Sequence, residues 1–228
     1  MGIRSLDSSI LCFLGLLASV AVPLQNRSLT PAELALVADR DLFRSKERTI
    51  QKVQALLATL QAVLREDLAG ATLLFPPGFD PGKQQAVKGE RLEDCPYQYL
   101  DYPKHFLGDD KFTFRSLCWW GHHLVFAIIL EGGQVKQCKK NFFDRFHQLA
   151  GHGLELSLAP TLWEWKQGEG YTLPITHDRK AQLAAVLSGR AWFKIVRCVP
   201  LDSPALRESR LPEIGRDTFR SLLPLLTL

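Results

Sequence analysis

Two rhythms organise the apolar positions of this 228-residue chain, steps of three and four before Gly70 and alternation after Tyr97. A helix start is marked at Thr30-Pro31-Ala32-Glu33. Thr30 can cap, Pro31 suits the first helical position, and Glu33 completes a capping box. That helix is predicted to run to about Asp39. A longer one is predicted over about residues 45–68, where Ile50, Val53, Leu56, Leu57, Leu60, Val63, Leu64 and Leu68 make one apolar stripe. The stripe is too short for a coiled coil and reads as a core face.

Gly70 ends the helix, and the turn-rich stretch from Phe75 to Gly82 continues as a polar run to Asp94. Residues 70–94 are therefore expected to be loop-rich, either a linker or a loop folded over the domain. Strand-like runs follow at residues 97–102, 111–119 and 123–131. Their short separations favour antiparallel neighbours, because parallel strands need long crossovers. A short helix at about residues 141–150, a strand at 154–158, a helix from about His177 to Leu187 capped by Thr176, a strand at 191–199 and a helix at about 212–223 complete the series. Regular βαβ alternation is lacking, so the expected fold class is α+β: a single domain with a mainly antiparallel sheet and flanking helices.

Composition narrows this little. With 46% hydrophobic and 23% charged residues the chain is ordinary for a folded protein, and at this length it can bury roughly 70% of its unfolded surface without metal or disulfide. A net charge of +4 with scattered Lys and Arg gives no basic stripe, so nucleic acid is not an expected partner. Residues 10–24 form an uncharged apolar run suited to a secretory h-region and short for a bilayer span. Residues 1–28 thus read as an N-terminal extension, a signal segment or an overlong start, attached to a domain from residue 29. The expected location is cytoplasmic, with export after cleavage near Ala21 as the alternative; no stable membrane insertion of the mature domain is expected. Cys95, Cys118, Cys138 and Cys198 show no CxxC spacing and are expected as reduced thiols, two disulfides being the alternative.

The candidate chemistry concentrates between Tyr97 and Leu130. Strand alternation puts Phe112, Phe114, Ser116, Cys118 and Trp120 on one face. Lys111, Thr113, Arg115, Leu117 and Trp119 share the other, which reads as half-buried. An Arg held among apolar neighbours can bind a carboxylate or phosphate bidentately, or form an internal ion pair with Asp101 or Glu90. His122 and His123 adjoin a hairpin tip, but neighbours in a strand point to opposite faces, so one shared metal is not expected. Asp101, Tyr102 and His105 have the residue types for acid–base work, or for satisfying a turn. Trp163, Glu164, Trp165, Glu169 and Tyr171 make a second aromatic and acidic patch, able to line a pocket or to pack as an edge strand. No P-loop, GxGxxG, GxSxG or HExxH motif occurs.

Lys88-Gly89-Glu90, Pro96-Tyr97, Leu100-Asp101-Tyr102-Pro103, Phe106, Phe114-Arg115 and Trp119-Trp120-Gly121 resemble the core of an uncharacterised bacterial family, mostly from Bacteroidota, with a K-G-E…L-D-Y-P…F-R…W-W-G pattern. The resemblance covers roughly residues 29–170. It departs at Arg91-Leu92, where Asn-Tyr is usual, and at His122, where Asn is usual. Thr176-His177-Asp178, residues 191–199 and residues 217–225 are weakly similar to the YktB-like family, whose α+β fold agrees with the reading above. Neither resemblance implies a reaction. The expected function is a small-molecule-binding or interaction domain with a pocket near the sheet. Its candidate ligand-binding residues are Asp101, Tyr102, Arg115, Trp119 and His122, its ligand a small anion, and neither metal nor cofactor is expected. The alternative is a hydrolase-like or metal-assisted enzyme using Asp101, His105 and His122.

Overall fold

The computed structural model describes residues 28–227. The apolar run at residues 10–24, the cleavage position near Ala21 and Cys12 lie outside the described residues. The chain divides into two compact units, Met1–Glu47 and Arg48–Leu228. In the first, α1 (Pro31–Ala38) starts with the expected capping box, Thr30 and Glu33 each bonding the other's backbone N–H. Helix α2 (Arg40–Ala69) begins earlier than its apolar stripe, because its first turns carry little of that stripe.

The second unit is built on a seven-stranded, wholly antiparallel sheet flanked by helices, an α+β fold. In chain order β1 (Gln85–Leu92), β2 (Cys95–Leu107), β3 (Asp110–Trp119) and β4 (His123–Glu131) form a meander. Helices α3 (Val135–Asp144) and α4 (Phe146–Leu149) follow, then β5 (Glu155–Ser157), β6 (Thr172–Pro174), α5 (Lys180–Ser188), β7 (Trp192–Pro200), α6 (Pro204–Arg207) and α7 (Leu211–Leu226). Across the sheet the order is β1-β2-β3-β4-β7-β5-β6.

Strand β1 corrects the expected loop at residues 70–94. Its sequence, QAVKGERL, lacks an apolar face because it is an edge strand whose side chains are mostly exposed. Backbone pairing with β2 holds it, not side-chain burial.

One face of the sheet packs under helices. Phe112, Phe114, Phe126, Ile128, Phe193 and Ile195 meet Leu57, Leu60, Leu64 and Leu68 of α2 and Phe219, Leu222 and Leu225 of α7, all buried. Each such side chain contributes about 1.5–3 kcal/mol of burial. Helix α7 approaches closely enough that a Cβ on Gly215 would lie 2.7 Å from Leu60 and 2.9 Å from Phe126. At the rim Asp67 of α2 accepts bonds from both Arg216 and Arg220 of α7.

The other face, expected to be half-buried, is closed over. Leu117, Trp119, Val125, Ala127, Ile129 and Val196 pack beneath Leu162 and Trp165 from the segment joining β5 to β6. Among the described residues no helix is long and apolar enough to cross a membrane.

Candidate functional site

The site begins with register. Asp101 of β2 stands directly opposite Arg115 of β3, so both side chains leave the same face. Arg115 Nε donates to Asp101 Oδ1 at 2.6 Å and Nη2 to Oδ2 at 2.7 Å, a bidentate pair in which Asp101 is wholly buried and Arg115 is 7% exposed. The Tyr99 side chain also hydrogen-bonds the guanidinium.

Aromatic rings surround that guanidinium. Its carbon lies 3.9 Å from the ring centre of Tyr99, 5.0 Å from Trp163 and 5.4 Å from Trp165. Tyr97 and Tyr99 share its face by alternation with Asp101, their rings nearly parallel. Phe106 arrives by a different route. A one-residue register shift between Asp101 and Lys104 places Phe106 opposite Lys111, on the Arg115 face, where its ring meets Trp163 edge-on at 5.9 Å. Together these residues wall a cavity of about 360 Å³, with Arg115 in its lining.

The segment supplying both tryptophans is strapped to the sheet. Lys194 of β7, 1% exposed, sends Nζ to the carbonyls of Leu162 (3.0 Å) and Glu164, and lies 4.2 Å from the Trp165 ring centre. His123 bonds the Trp165 carbonyl at 3.1 Å, Lys166 pairs with Glu93 at 2.9 Å, and Arg190 reaches the carbonyls of Ser157 and Leu158. Burial pushes the Lys194 ammonium down to about 7; Glu164 opposes that shift and the neighbouring Arg115 adds to it. Burial likewise lowers His123, against its bond to Trp165.

Of the sequence-derived candidates, Asp101 and Arg115 come together. Trp119 shares their face farther along β3, buried, its Nε1 donating to the Leu92 carbonyl at 2.8 Å. His122 stacks on Trp119 at 3.7 Å, exposed at the hairpin tip. Neither lines the Arg115 cavity. Tyr102 points to the opposite face, as the residue after Asp101 must, and lines a separate cavity with Arg65, Leu68 and Phe75. His105 is buried on that helix-covered face beside Phe79 and Phe112. Asp101, His105 and His122 therefore occupy three separate places, which corrects the grouping of the three in one site.

The four described cysteines are free thiols. Burial pushes Cys118, Cys138 and Cys198 up to about 12, a range in which none is a thiolate nucleophile near neutral pH. Among the described residues no three His, Cys, Asp or Glu side chains are grouped to hold a metal ion.

Sequence reasoning passed over Tyr97, Tyr99, Phe106 and Lys194 as site residues. The two tyrosines were findable, since steps of two from Asp101 put them on its face. Lys194 carried a signal too, as a lone cation in the apolar run AWFKIV. Compared with known proteins, the chain matches no family model, no curated protein and no solved structure.

Proposed function

We propose that this protein is a binding module that takes a small, flat carboxylate in the aromatic cavity over Arg115. The observation that carries the reading is the guanidinium itself. Asp101 fixes its plane from behind, and the residue lines a cavity walled by Tyr97, Tyr99, Phe106, Trp163 and Trp165. A pre-oriented guanidinium loses little freedom on binding an anion, and its planar donors match a carboxylate. The walls suit a ring or other flat apolar body. Asp101 cancels the charge of Arg115, so the donor geometry of the guanidinium selects the anion.

Benzoate and its neutral analogue benzamide test this by quenching of tryptophan fluorescence, since Trp163 and Trp165 flank the site. Benzoate should saturate the signal at least about tenfold more tightly than benzamide, because a charge-assisted bond is worth about 1.4 kcal/mol or more over a neutral one. The double variant Asp101→Leu/Arg115→Met, which keeps the buried charge balance, should abolish the preference. Equal binding of the two probes, or a preference surviving in the double variant, would overturn the reading.

A further inference from the structure

Strand β1 sets one residue against the aromatic wall of the Arg115 cavity. Register places Gln85 opposite Asp101 and Gly89 opposite Tyr97, so both positions belong to the Arg115 face. Gln85 lines the cavity, and past Gly89 the register shifts so that Leu92 lines it too. Between them Gly89 offers no side chain.

The backbone does not ask for glycine there. The Gly89 φ lies outside the left-handed region, so an alanine would fit the path of the chain. A glycine inside a strand also weakens it, having nothing to pack. What needs the glycine is Tyr97. A Cβ at position 89 would lie 2.5 Å from Cε1 and Cζ of the Tyr97 ring and 2.6 Å from its hydroxyl oxygen. Those distances are well inside van der Waals contact, so the ring occupies the place a side chain would take. Lying there, Tyr97 stacks on Tyr99, ring centres 6.2 Å apart and planes 6° from parallel. Tyr99 in turn lies 3.9 Å from the guanidinium carbon of Arg115. Contacts thus run unbroken from an edge-strand glycine to the guanidinium.

We propose that Gly89 is a positioning residue of this cavity: its missing side chain lets Tyr97 lie down over β1 and hold the wall beside Arg115. A side chain at 89 displaces the far end of the half-buried Tyr97 rather than any backbone. The displaced ring leaves its stack on Tyr99 and changes the shape of the space a ligand enters. A ring laid across a glycine of the neighbouring strand also stabilises a sheet, and the test separates that role from positioning. The effect on binding rests on the carboxylate reading; the placing of Tyr97 does not.

The chain has four tyrosines, so protein labelled with 3-fluorotyrosine gives four fluorine resonances, and Tyr97→Phe assigns that of Tyr97. Without ligand, Gly89→Ala should shift the Tyr97 resonance more than those of Tyr102 and Tyr171; an unmoved Tyr97 resonance would overturn the proposal. By tryptophan quenching, Gly89→Ala should bind benzoate about fivefold more weakly, as expected for one lost aromatic contact. That loss should vanish where Tyr97→Ala is already present. An equal loss in both backgrounds, or no loss in either, would overturn the proposal, because Gly89 would then not act through Tyr97. If the natural protein binds no benzoate while Gly89→Ala still displaces the Tyr97 resonance, the carboxylate reading falls and the placing of Tyr97 by Gly89 is supported. Strand β1 is an exposed edge, so Gly89→Ala should keep the fold, checked by circular dichroism. If it does not fold, recovery in Gly89→Ala/Tyr97→Ala supports the competition of ring and Cβ for one place, and failure of that double variant too overturns it.

Discussion

Replacing Arg115 with methionine removes the cation and keeps much of the side-chain volume. Asp101 is then a fully buried carboxylate whose two bonds, at 2.6 and 2.7 Å, are gone. Nothing else among the described residues donates to its side chain, so no second partner softens the loss. Removing one member of a buried pair costs about 3–5 kcal/mol, because the survivor stays desolvated and uncompensated. Against a total stability of about 5–15 kcal/mol, Arg115→Met should bring the protein close to unfolding. The companion change makes the test discriminating. Asp101→Leu/Arg115→Met removes both charges, and apolar replacement of a whole buried pair is often neutral or stabilising. The double variant should therefore recover to within about 1 kcal/mol of the natural protein, despite losing the guanidinium's contacts with Tyr99, Trp163 and Trp165. Urea unfolding followed by far-ultraviolet circular dichroism gives the four stabilities of the cycle, independent of the tryptophans beside the mutation. If Arg115→Met costs less than about 1 kcal/mol, the pair is not the buried unit described above. If the double variant is as unstable as the two single losses added together, the two residues act separately and do not form one buried pair.

Two further outcomes follow from the packing. Lys194 is held at about 7 in the folded protein, far below its ordinary value near 10.5, so between those values the unfolded chain binds the extra proton. Stability should then rise as pH increases from 7 towards 10, by at most about 1.4 kcal/mol per unit for one proton. Buried Cys118, Cys138 and Cys198, pushed up to about 12, work against this gain as pH passes their ordinary value near 9. The Lys194 contribution is therefore read as a difference. From pH 7 to 8 the urea midpoint should change more favourably in the natural protein than in Lys194→Met, and identical slopes would count against the buried ammonium. Gly215→Ala sets helix propensity, worth about 1 kcal/mol in favour of Ala, against a Cβ placed 2.7 Å from buried Leu60. Overpacking of about 1–3 kcal/mol should win, lowering the melting temperature, and a higher one would show that α7 can shift away from α2.

Much of this fold was legible because its central elements are each buried on a face with one period. Strand β4 reads correctly to the residue, and the α2 stripe places Ile50, Leu57, Leu60, Leu64 and Leu68 in the core as its spacing implies. What escaped notice has physical causes. Strand β1 is exposed, and an exposed edge strand has no apolar alternation to read. The short β6 is too brief to show a period at all. The site divides along the same line. Parity alone puts Tyr97, Tyr99 and Asp101 on one face and Tyr102 on the other, and pairing of neighbouring strands makes Asp101 a natural partner for Arg115. Phe106 joins them only through the register shift after Asp101, which period-two reasoning misses. Trp163 and Trp165 join through a long excursion whose position depends on Lys194 and His123 reaching its backbone carbonyls. Those bonds link side chains to carbonyls, which every residue has, so residue identity in residues 158–171 carries no trace of them. The half of the cavity built on adjacent strands was therefore readable from sequence, and the half built by a strap across the sheet was not.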